Sequence, residues 1–177
     1  MATQPAFDKP ISVEEYLVAS FEYDCERVDG ALVERNGGEF DHSLLMTLVG
    51  AHIQNHRAEW NVICLFGVRV RTGVARIRVP DLAILRAGAP RERILTHPPL
   101  LVIEIQSPED NLRRTTAKAA EYLAFGIEHV WVIDPAARVA YCGTPSGLEL
   151  ARSGELTVPG TPIRIVLEEL FSELDRA

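Results

Sequence analysis

Two segments of the chain have the spacing of apolar residues that predicts amphipathic helices. Between residues 40 and 58, apolar positions recur every three or four residues, which is the helical period. These positions are Leu44, Leu45, Leu48, Val49 and Ile53. The same i, i+3, i+4, i+7 spacing returns at Leu167, Leu170, Phe171 and Leu174. We expect this last helix to pack on the body of the protein or on a partner.

Two further helices are predicted by residues that begin or end helices. Ser12 followed by Glu15 is a capping-box sequence, which predicts a short helix over about 12–20. Asn111 or Asp110 can cap a helix over about 112–125, and Gly126 can end it.

Apolar and β-branched runs between these helices predict strands. Three of them, at 62–71, 77–85 and 100–107, follow the helix at 40–58. The compact run 130–133 predicts a buried strand, and 139–142 is expected to pair with it after a turn at Asp134-Pro135. A further strand is predicted over 28–33, with a turn at Asp29-Gly30. From residue 40 the order is helix, three strands, helix, strand, which predicts an α/β protein around a mixed sheet.

Composition and length indicate one globular domain without a membrane span. The 177 residues are 47% hydrophobic and 24% charged, and no apolar stretch approaches the roughly 18 residues that a spanning helix needs. We expect a single domain over 1–177, with an N-terminal extension over 1–39, a core over 40–143 and a C-terminal hairpin and helix over 144–177. The first residues lack the basic and apolar regions of a leader, and three widely spaced cysteines predict no disulfide framework. We therefore expect a cytoplasmic protein.

The net charge of −7 conceals a segregation along the chain. Residues 1–56 carry −7, residues 57–118 carry +5, and residues 119–177 carry −5. Sixteen of the 18 basic residues are arginine, whose planar guanidinium suits bidentate contacts with phosphate. A polyanionic partner is compatible with this pattern, as is an ordinary solvated surface.

Candidate chemistry lies in the middle of the chain. Glu104 interrupts the apolar run 101–105, and a buried carboxylate must be paired or bound to a metal. Gln106 shares the strand face of Glu104, because residues two apart point to the same side. If the neighbouring strand brings Asp81 beside them, two carboxylates converge, and such oxygen-rich sites suit Mg²⁺ or Mn²⁺. Pro80 fixes the backbone just before Asp81.

Lys118, one of two lysines, can supply a cation to this site from the helix that follows Glu104. Its spacing alone is more typical of a solvated surface lysine than of a site residue, since lysines on helix flanks are common. His52 and His56, an i, i+4 pair, could ligate zinc, but no third ligand is spaced to join them.

The combination of these motifs resembles the Uma-type family of putative restriction endonucleases, a bacterial family in the PD-(D/E)XK nuclease superfamily. The resemblance extends over nearly the whole chain, and His42 matches a histidine that opens the first long helix. The motifs are Glu26-Arg27-Val28-Asp29-Gly30, Pro80-Asp81, Glu104-Ile105-Gln106-Ser107-Pro108-Glu109-Asp110, Lys118-x-x-x-Tyr122-x-x-x-Gly126 and Val130-Trp131-Val132-Ile133-Asp134-Pro135.

The resemblance implies a restriction-endonuclease-like core of helix, three strands, helix and strand, which agrees with the order predicted above. It implies that Asp81 and Glu104 are metal ligands, with the carbonyl of Ile105 as a third. The superfamily's lysine normally stands two residues after the glutamate, where this chain has Gln106. Family members are similar in using a lysine from the following helix, which here is Lys118.

The resulting hypothesis is an endonuclease that uses Mg²⁺ or Mn²⁺ to hydrolyse DNA phosphodiester bonds. Asp81, Glu104 and Lys118 would be catalytic, while Gln106, Glu26, His42 and Tyr122 would surround the site or contact substrate. DNA contacts are expected from Arg78, Arg113 and Arg114, and we expect a homodimer. The alternative is a catalytically inactive nuclease fold that serves as a nucleic-acid-binding or dimerisation module.

Overall fold

A computed structural model describes residues 10–21, 25–35 and 39–177. Residues 1–9, on which the expectation of a chain without a leader depends, lie outside this part. The helices are α1 (Val13–Val18), α2 (Phe40–Trp60), α3 (Leu112–Phe125) and α4 (Leu167–Asp175). The strands are β1 (Cys25–Val28), β2 (Ala31–Glu34), β3 (Val62–Phe66), β4 (Val70–Gly73), β5 (Arg76–Arg78), β6 (Leu82–Arg86), β7 (Leu101–Ile105), β8 (His129–Asp134), β9 (Val139–Thr144), β10 (Gly147–Leu150), β11 (Glu155–Thr157) and β12 (Arg164–Val166).

A six-stranded mixed sheet in the order β10-β9-β8-β7-β6-β3 forms the centre of the fold. Its β7–β8 pair is parallel and α3 connects the two strands, whereas the other described neighbours in this sheet are antiparallel. Apolar residues of α2 and α4 pack on one face of the sheet. Residues of α3 pack on the other face, around Val102 and Val130. The predicted α/β architecture with a mixed sheet is therefore confirmed.

A second sheet has the order β2-β1-β5-β4. Its strands β4 and β5 come between β3 and β6 of the central sheet in the sequence. The strands β11 and β12 form a two-stranded sheet. The predicted strand over 28–33 is in fact a hairpin of β1 and β2. Its predicted turn is confirmed, because Asp29 and Gly30 both have positive φ, as the tight primed turns of hairpins require.

The predicted strands over 62–71 and 77–85 are each divided in two. After β3 the chain turns through Gly67, which has a φ of +56°, and β4 joins the second sheet instead of the central one. In the second run, Pro80 lies in the break between β5 and β6, since proline has no N–H for a sheet ladder. The chain thus passes from one sheet to the other immediately before Asp81.

The predicted caps of α1 and α3 agree with the structure, whereas α1 ends at Val18 and α2 extends to Trp60. Ser12 and Glu15 form a complete capping box at α1, and the Asn111 side chain accepts from the Arg114 N–H at the start of α3. Gly126 ends α3 with a φ of +104°. The last helix packs against α2, on the body of the protein. None of the helices in the described part of the chain has the length and apolar character needed to cross a bilayer. The division of the chain at residues 39 and 143 stays a prediction.

Candidate active site

The carboxylates of Asp81 and Glu104 meet on one face of the central sheet, as the sequence predicted. In the antiparallel β6–β7 pair, Leu82 lies opposite Ile103, and one further step in this register places Asp81 opposite Glu104. Directly opposed residues present their side chains on the same face. The backbone N–H of Ile105 donates to Asp81 Oδ2 at 2.8 Å, which ties Asp81 to β7.

Asp81 is almost fully buried, with 5% of its side chain exposed, and is surrounded by donors. Arg35 Nη2 donates to Oδ1 at 2.8 Å, and His42 Nε2 lies 3.3 Å from Oδ2. Burial raises the pKa of Asp81, but the contact with His42 and the bond from Ile105 outweigh it and lower the pKa. The same contact with Asp81 raises the pKa of His42. Asp81 is thus an ionised carboxylate at neutral pH.

Glu104 is held by two residues of α3 that are four positions apart and lie on one helix face. Lys118 Nζ donates to Oε2 at 3.0 Å, and the Tyr122 hydroxyl donates to Oε1 at 2.7 Å. Burial raises the pKa of Glu104 to about 7, although the Lys118 ammonium opposes this shift. Burial also raises the pKa of Tyr122, which keeps the phenol protonated as a donor.

Lys118 lies between two carboxylates. Its Nζ is 3.0 Å from Glu104 Oε2 and 2.9 Å from Glu26 Oε1, and 20% of the side chain is exposed. Burial lowers the pKa of Lys118, but Glu104 and Glu26 outweigh burial and raise it, so the ammonium stays charged. The sequence allowed Lys118 to lie either beside Glu104 or on the solvated surface. In the structure it lies beside Glu104.

Glu26 connects this ammonium to a wider network of charges. Its Oε1 also accepts from the Val79 N–H at 3.0 Å, and its Oε2 accepts from Arg78 Nη1 at 2.8 Å. Arg78 Nη2 in turn donates to Glu121 Oε2 at 2.6 Å. The guanidinium of Arg78 is therefore engaged by two carboxylates, and its predicted contact with DNA stays a prediction.

Two residues of the site were missed by the sequence analysis. Glu121 follows Lys118 by three positions on α3, so a charged residue on the lysine's own helix face was the available signal. Arg35 gave no such signal, because it follows a short strand and its contact with Asp81 spans 46 positions.

The charged groups border a cleft of about 300 Å³. Gln106 lines it but turns its side-chain amide to the Thr115 hydroxyl, to which it donates at 3.1 Å. Arg113 and Arg114 are exposed at the start of α3, and Arg114 borders the cleft. The remaining residues lining the cleft include Glu34, Ile105, Ser107 and Asp110.

The sequence of the chain matches the model of the Uma2 family, described as putative restriction endonucleases, over residues 13–171. The chain belongs to the Uma2 family. Its fold is similar to the crystal structure of a protein described as a putative nuclease from Anabaena variabilis, with a TM-score of 0.80 and 22% sequence identity. The match covers 93% of this chain and 99% of that one. No curated protein is similar enough in sequence to match.

The donors of this Uma2-family site fit a hard divalent cation in chemical type. Asp81 and Glu104 supply carboxylate oxygens beside the backbone of Ile105, which borders the same cleft. Among the described residues, no three His, Cys, Asp or Glu side chains form a group that could hold a metal. Backbone carbonyl and water oxygens would therefore have to complete the coordination, as is usual for Mg²⁺.

The histidine pair on α2 lies elsewhere and has other contacts. His52 Nε2 is 3.0 Å from the carbonyl of Arg164, and His56 stacks on Trp60 with the ring centres 4.6 Å apart. Within the described ranges, no third side chain joins His52 and His56 to form a group that could hold zinc.

Proposed function

We propose that this member of the Uma2 family is an endonuclease that uses Mg²⁺ or Mn²⁺ to hydrolyse phosphodiester bonds of DNA. The observation that carries the proposal is the convergence of Asp81, Glu104 and Lys118 at one cleft, in a family described as putative restriction endonucleases. Two carboxylates can hold a divalent ion, and an ammonium can stabilise the negative charge that develops as a phosphodiester is hydrolysed.

Asp81 and Glu104, with the carbonyl of Ile105, are the residues that would hold the ion. When bound, such an ion supplies Lewis-acid polarisation of the phosphate and lowers the pKa of an attacking water. The protein contributes rigid positions for these ligands. The Ile105 N–H holds Asp81, and the Tyr122 hydroxyl holds one oxygen of Glu104.

Lys118 supplies a compact positive charge where negative charge develops on the phosphate. Such preorganised charge in a partly buried site stabilises the transition state without reorganising solvent. Glu26 also binds the ammonium, and Arg78 in turn binds Glu26. Gln106 donates to the Thr115 hydroxyl. Because its side chain carries no charge, Lys118 alone would stabilise the developing negative charge in this proposal.

The first turn of α3 is the proposed contact with the DNA backbone. Arg113 and Arg114 are exposed there, and the N-terminal end of a helix favours phosphate through its N–H groups. Binding by these residues would place the strand along the cleft that Arg114 borders. A homodimer and a cytoplasmic location stay predictions.

Incubation of the purified protein with plasmid and Mn²⁺ or Mg²⁺ tests the proposal directly. We expect metal-dependent cleavage that Asp81→Asn and Glu104→Gln abolish, whereas Glu34→Gln, a change at another cleft carboxylate, retains it. Mn²⁺ should also raise the melting temperature, because an ion that binds the folded state stabilises it. A shift that persists in the double variant Asp81→Ala, Glu104→Ala would place the ion elsewhere, such as at His52 and His56.

The alternative is a nuclease fold without catalysis that binds nucleic acid or dimerises. One observation favours it: Arg35, Lys118 and Tyr122 already donate to the oxygens of Asp81 and Glu104. DNA binding without cleavage, at any concentration of Mn²⁺ or Mg²⁺, would support this alternative over the proposed enzyme.

A further inference from the structure

We propose that Arg35 neutralises Asp81 in the ion-free protein, and that ion binding displaces its guanidinium, which then binds a phosphate of the DNA strand. This inference rests on the proposed function, since it assumes that Asp81 is a ligand of the divalent ion. It assigns Arg35 two alternative partners, the Asp81 carboxylate and the substrate phosphate.

The two carboxylate oxygens of Asp81 have different partners. Oδ2 is held from inside the protein by the Ile105 N–H and lies beside His42, whereas Oδ1 accepts from Arg35 Nη2 at 2.8 Å. The side chain of Arg35 is 22% exposed and that of Asp81 is 5% exposed, and both residues border the cleft. Oδ1 is therefore the oxygen at which an ion in the cleft would compete with the guanidinium.

An ion at Asp81 would also change the balance of charge in the site. Among the described contacts, the carboxylates of Glu26, Asp81, Glu104 and Glu121 pair with the cations Arg35, Arg78 and Lys118. Adding two positive charges beside Asp81 while every cation stays in place would bring like charges together in a site of low dielectric, which is unfavourable. Arg35, the cation bonded to Asp81 itself, is the one that such an ion would displace.

Arg35 is the cation whose position in the fold best allows this movement. Lys118 contacts Glu26 and Glu104, and Arg78 contacts Glu26 and Glu121, whereas Arg35 contacts Asp81, the ligand of the proposed ion. Arg35 directly follows β2, an edge strand of the second sheet, and its long side chain can turn into the cleft.

The chemistry of the displaced group identifies its new partner. A guanidinium presents its N–H donors in a planar fork that matches two phosphate oxygens, and it stays charged at every relevant pH. Arg114 borders the same cleft. Arg35 and Arg114 would thus contact a DNA backbone that lies across the cleft.

Titration of the protein with Mn²⁺ in the absence of DNA, by calorimetry, is the first test. We expect Arg35→Ala to bind Mn²⁺ about fivefold or more tightly than the wild type, because a part-buried ion pair no longer competes for Asp81. Arg114→Ala is the matched control: it removes a cleft arginine for which the described residues show no ion pair with Asp81, and its Mn²⁺ affinity should equal that of the wild type.

Binding of a short DNA duplex gives a second readout, with Ca²⁺ replacing Mn²⁺ to prevent cleavage. Arg35→Ala should weaken DNA binding with Ca²⁺ but not with EDTA, since in the ion-free protein Arg35 is bound to Asp81. Arg114→Ala should weaken binding in both conditions. Circular dichroism and melting temperature would verify that the variants are folded.

The outcomes separate this inference from the proposed function. Mn²⁺ binding with equal affinity in the wild type and Arg35→Ala, or with lower affinity in the variant, would overturn the inference while the metal site itself stands. No Mn²⁺ binding by either protein would overturn both.

Discussion

Lys118 is the residue on which the proposed chemistry most depends, because it is a cation in direct contact with Glu104. Its ammonium lies between Glu26 and Glu104, while Gln106, at the position where the superfamily normally has its lysine, bonds to Thr115. In the proposed mechanism these two positions share the role of one residue, with a neutral amide just after β7 and a charge on α3.

Replacing Lys118 tests this division. Lys118→Ala should lose cleavage of plasmid DNA while a Mn²⁺-induced rise in melting temperature persists, because both metal-binding carboxylates remain. It should also lower the stability by about 2–4 kcal/mol, since two buried carboxylates lose a shared partner. Lys118→Arg should recover little cleavage, because a planar guanidinium does not reproduce a compact charge.

The double variant Lys118→Ala, Gln106→Lys is the companion experiment. It restores the usual arrangement on the strand, two residues after Glu104 and on the same face. Recovery of part of the cleavage would indicate that one ammonium replaces the other. Full activity in Lys118→Ala alone would remove Lys118 from the mechanism.

Glu104 predicts a dependence of stability on pH. Burial raises its pKa in the folded protein to about 7, from 4.5 for an ordinary glutamate. The folded state therefore binds this proton more tightly than the unfolded state does. The resulting stabilisation of the folded protein is fully present below pH 4.5 and is lost as the pH rises through about 7. In ion-free buffer, Glu104→Gln should become progressively more stable than the wild type between pH 5 and 8, as measured by urea unfolding.

Glu26→Gln is the contrasting variant for that series. Burial raises the pKa of Glu26, but Lys118 and Arg78 outweigh burial and lower it, so this carboxylate is already ionised at pH 5. Because the Glu26 charge contributes to the raised pKa of Glu104, the stability difference between Glu26→Gln and the wild type should change with pH, but less than that of Glu104→Gln from pH 5 to 8. A difference for Glu104→Gln that is constant over this range would contradict the assignment of the raised pKa.

At the scale of elements, α3 determines whether the site forms, since it carries both groups that hold Glu104. The helix begins at the Asn111 cap and ends at Gly126, whose φ of +104° suits glycine alone. A Cβ at this position would also lie 3.3 Å from Pro98 Cγ. The end of α3 is thus fixed by one residue and its neighbour across the loop.

Gly126→Ala should destabilise the protein by about 1–2 kcal/mol, because an L side chain is strained in the left-handed region. Denaturant unfolding measures this loss. Gly154→Ala is the control: its φ of +76° is also positive, but nothing lies within 4 Å of the added methyl. Gly126→Ala should be the more destabilising of the two, and equal losses would show that Pro98 moves aside without cost.

Elements defined by local signals were predictable from the sequence, and those defined by the choice of sheet were not. The boundaries of α3 follow from Asn111 and Gly126, whose capping preferences are intrinsic. The division of 77–85 into β5 and β6 depends on which sheet each half joins, although Pro80 indicated an interruption.

The same distinction applies to the site. Asp81, Glu104 and Lys118 were predictable, because a carboxylate within an apolar strand and a resemblance over several motifs both indicate function. Arg35 was not, since only the folded chain brings β2 near β6 and β7, and no local pattern encodes a contact between residues 46 positions apart. The structure therefore adds cations that surround carboxylates already recognised in the sequence.

At the scale of the whole molecule, the charge segregation along the chain is in part an arrangement of internal ion pairs. Several arginines of the basic middle segment pair with carboxylates of the two acidic segments. The pairs are Arg76 with Asp29, Arg78 with Glu26 and Glu121, and Arg86 with Glu128. The net charge of +5 in residues 57–118 thus overstates the charge available to DNA.

The salt dependence of DNA binding should reflect this smaller number of available cations. Each phosphate neutralised contributes about −0.9 to the slope of log affinity against log salt. We expect Arg113→Ala and Arg114→Ala each to make the slope less negative by about 0.9, because both residues are exposed. Arg86→Ala, which removes a cation paired with Glu128, should leave the slope unchanged, as measured by fluorescence anisotropy at several salt concentrations. An affinity independent of salt would exclude phosphate contacts.

The parallel pairing of β7 with β8 has a consequence for the order in which the molecule folds. The strands β3, β6 and β7 form one antiparallel group, and β8, β9 and β10 form another, and the two groups meet only at this pair in the described sheet. Closing the pair requires α3 to cross the sheet, a non-local step that is slow compared with forming hairpins. Lys118 and Tyr122 travel with α3 and reach Glu104 in that step. A chain in which the sheet is incomplete therefore lacks an assembled site, and any hydrolytic activity would appear in refolding only when the two groups have joined.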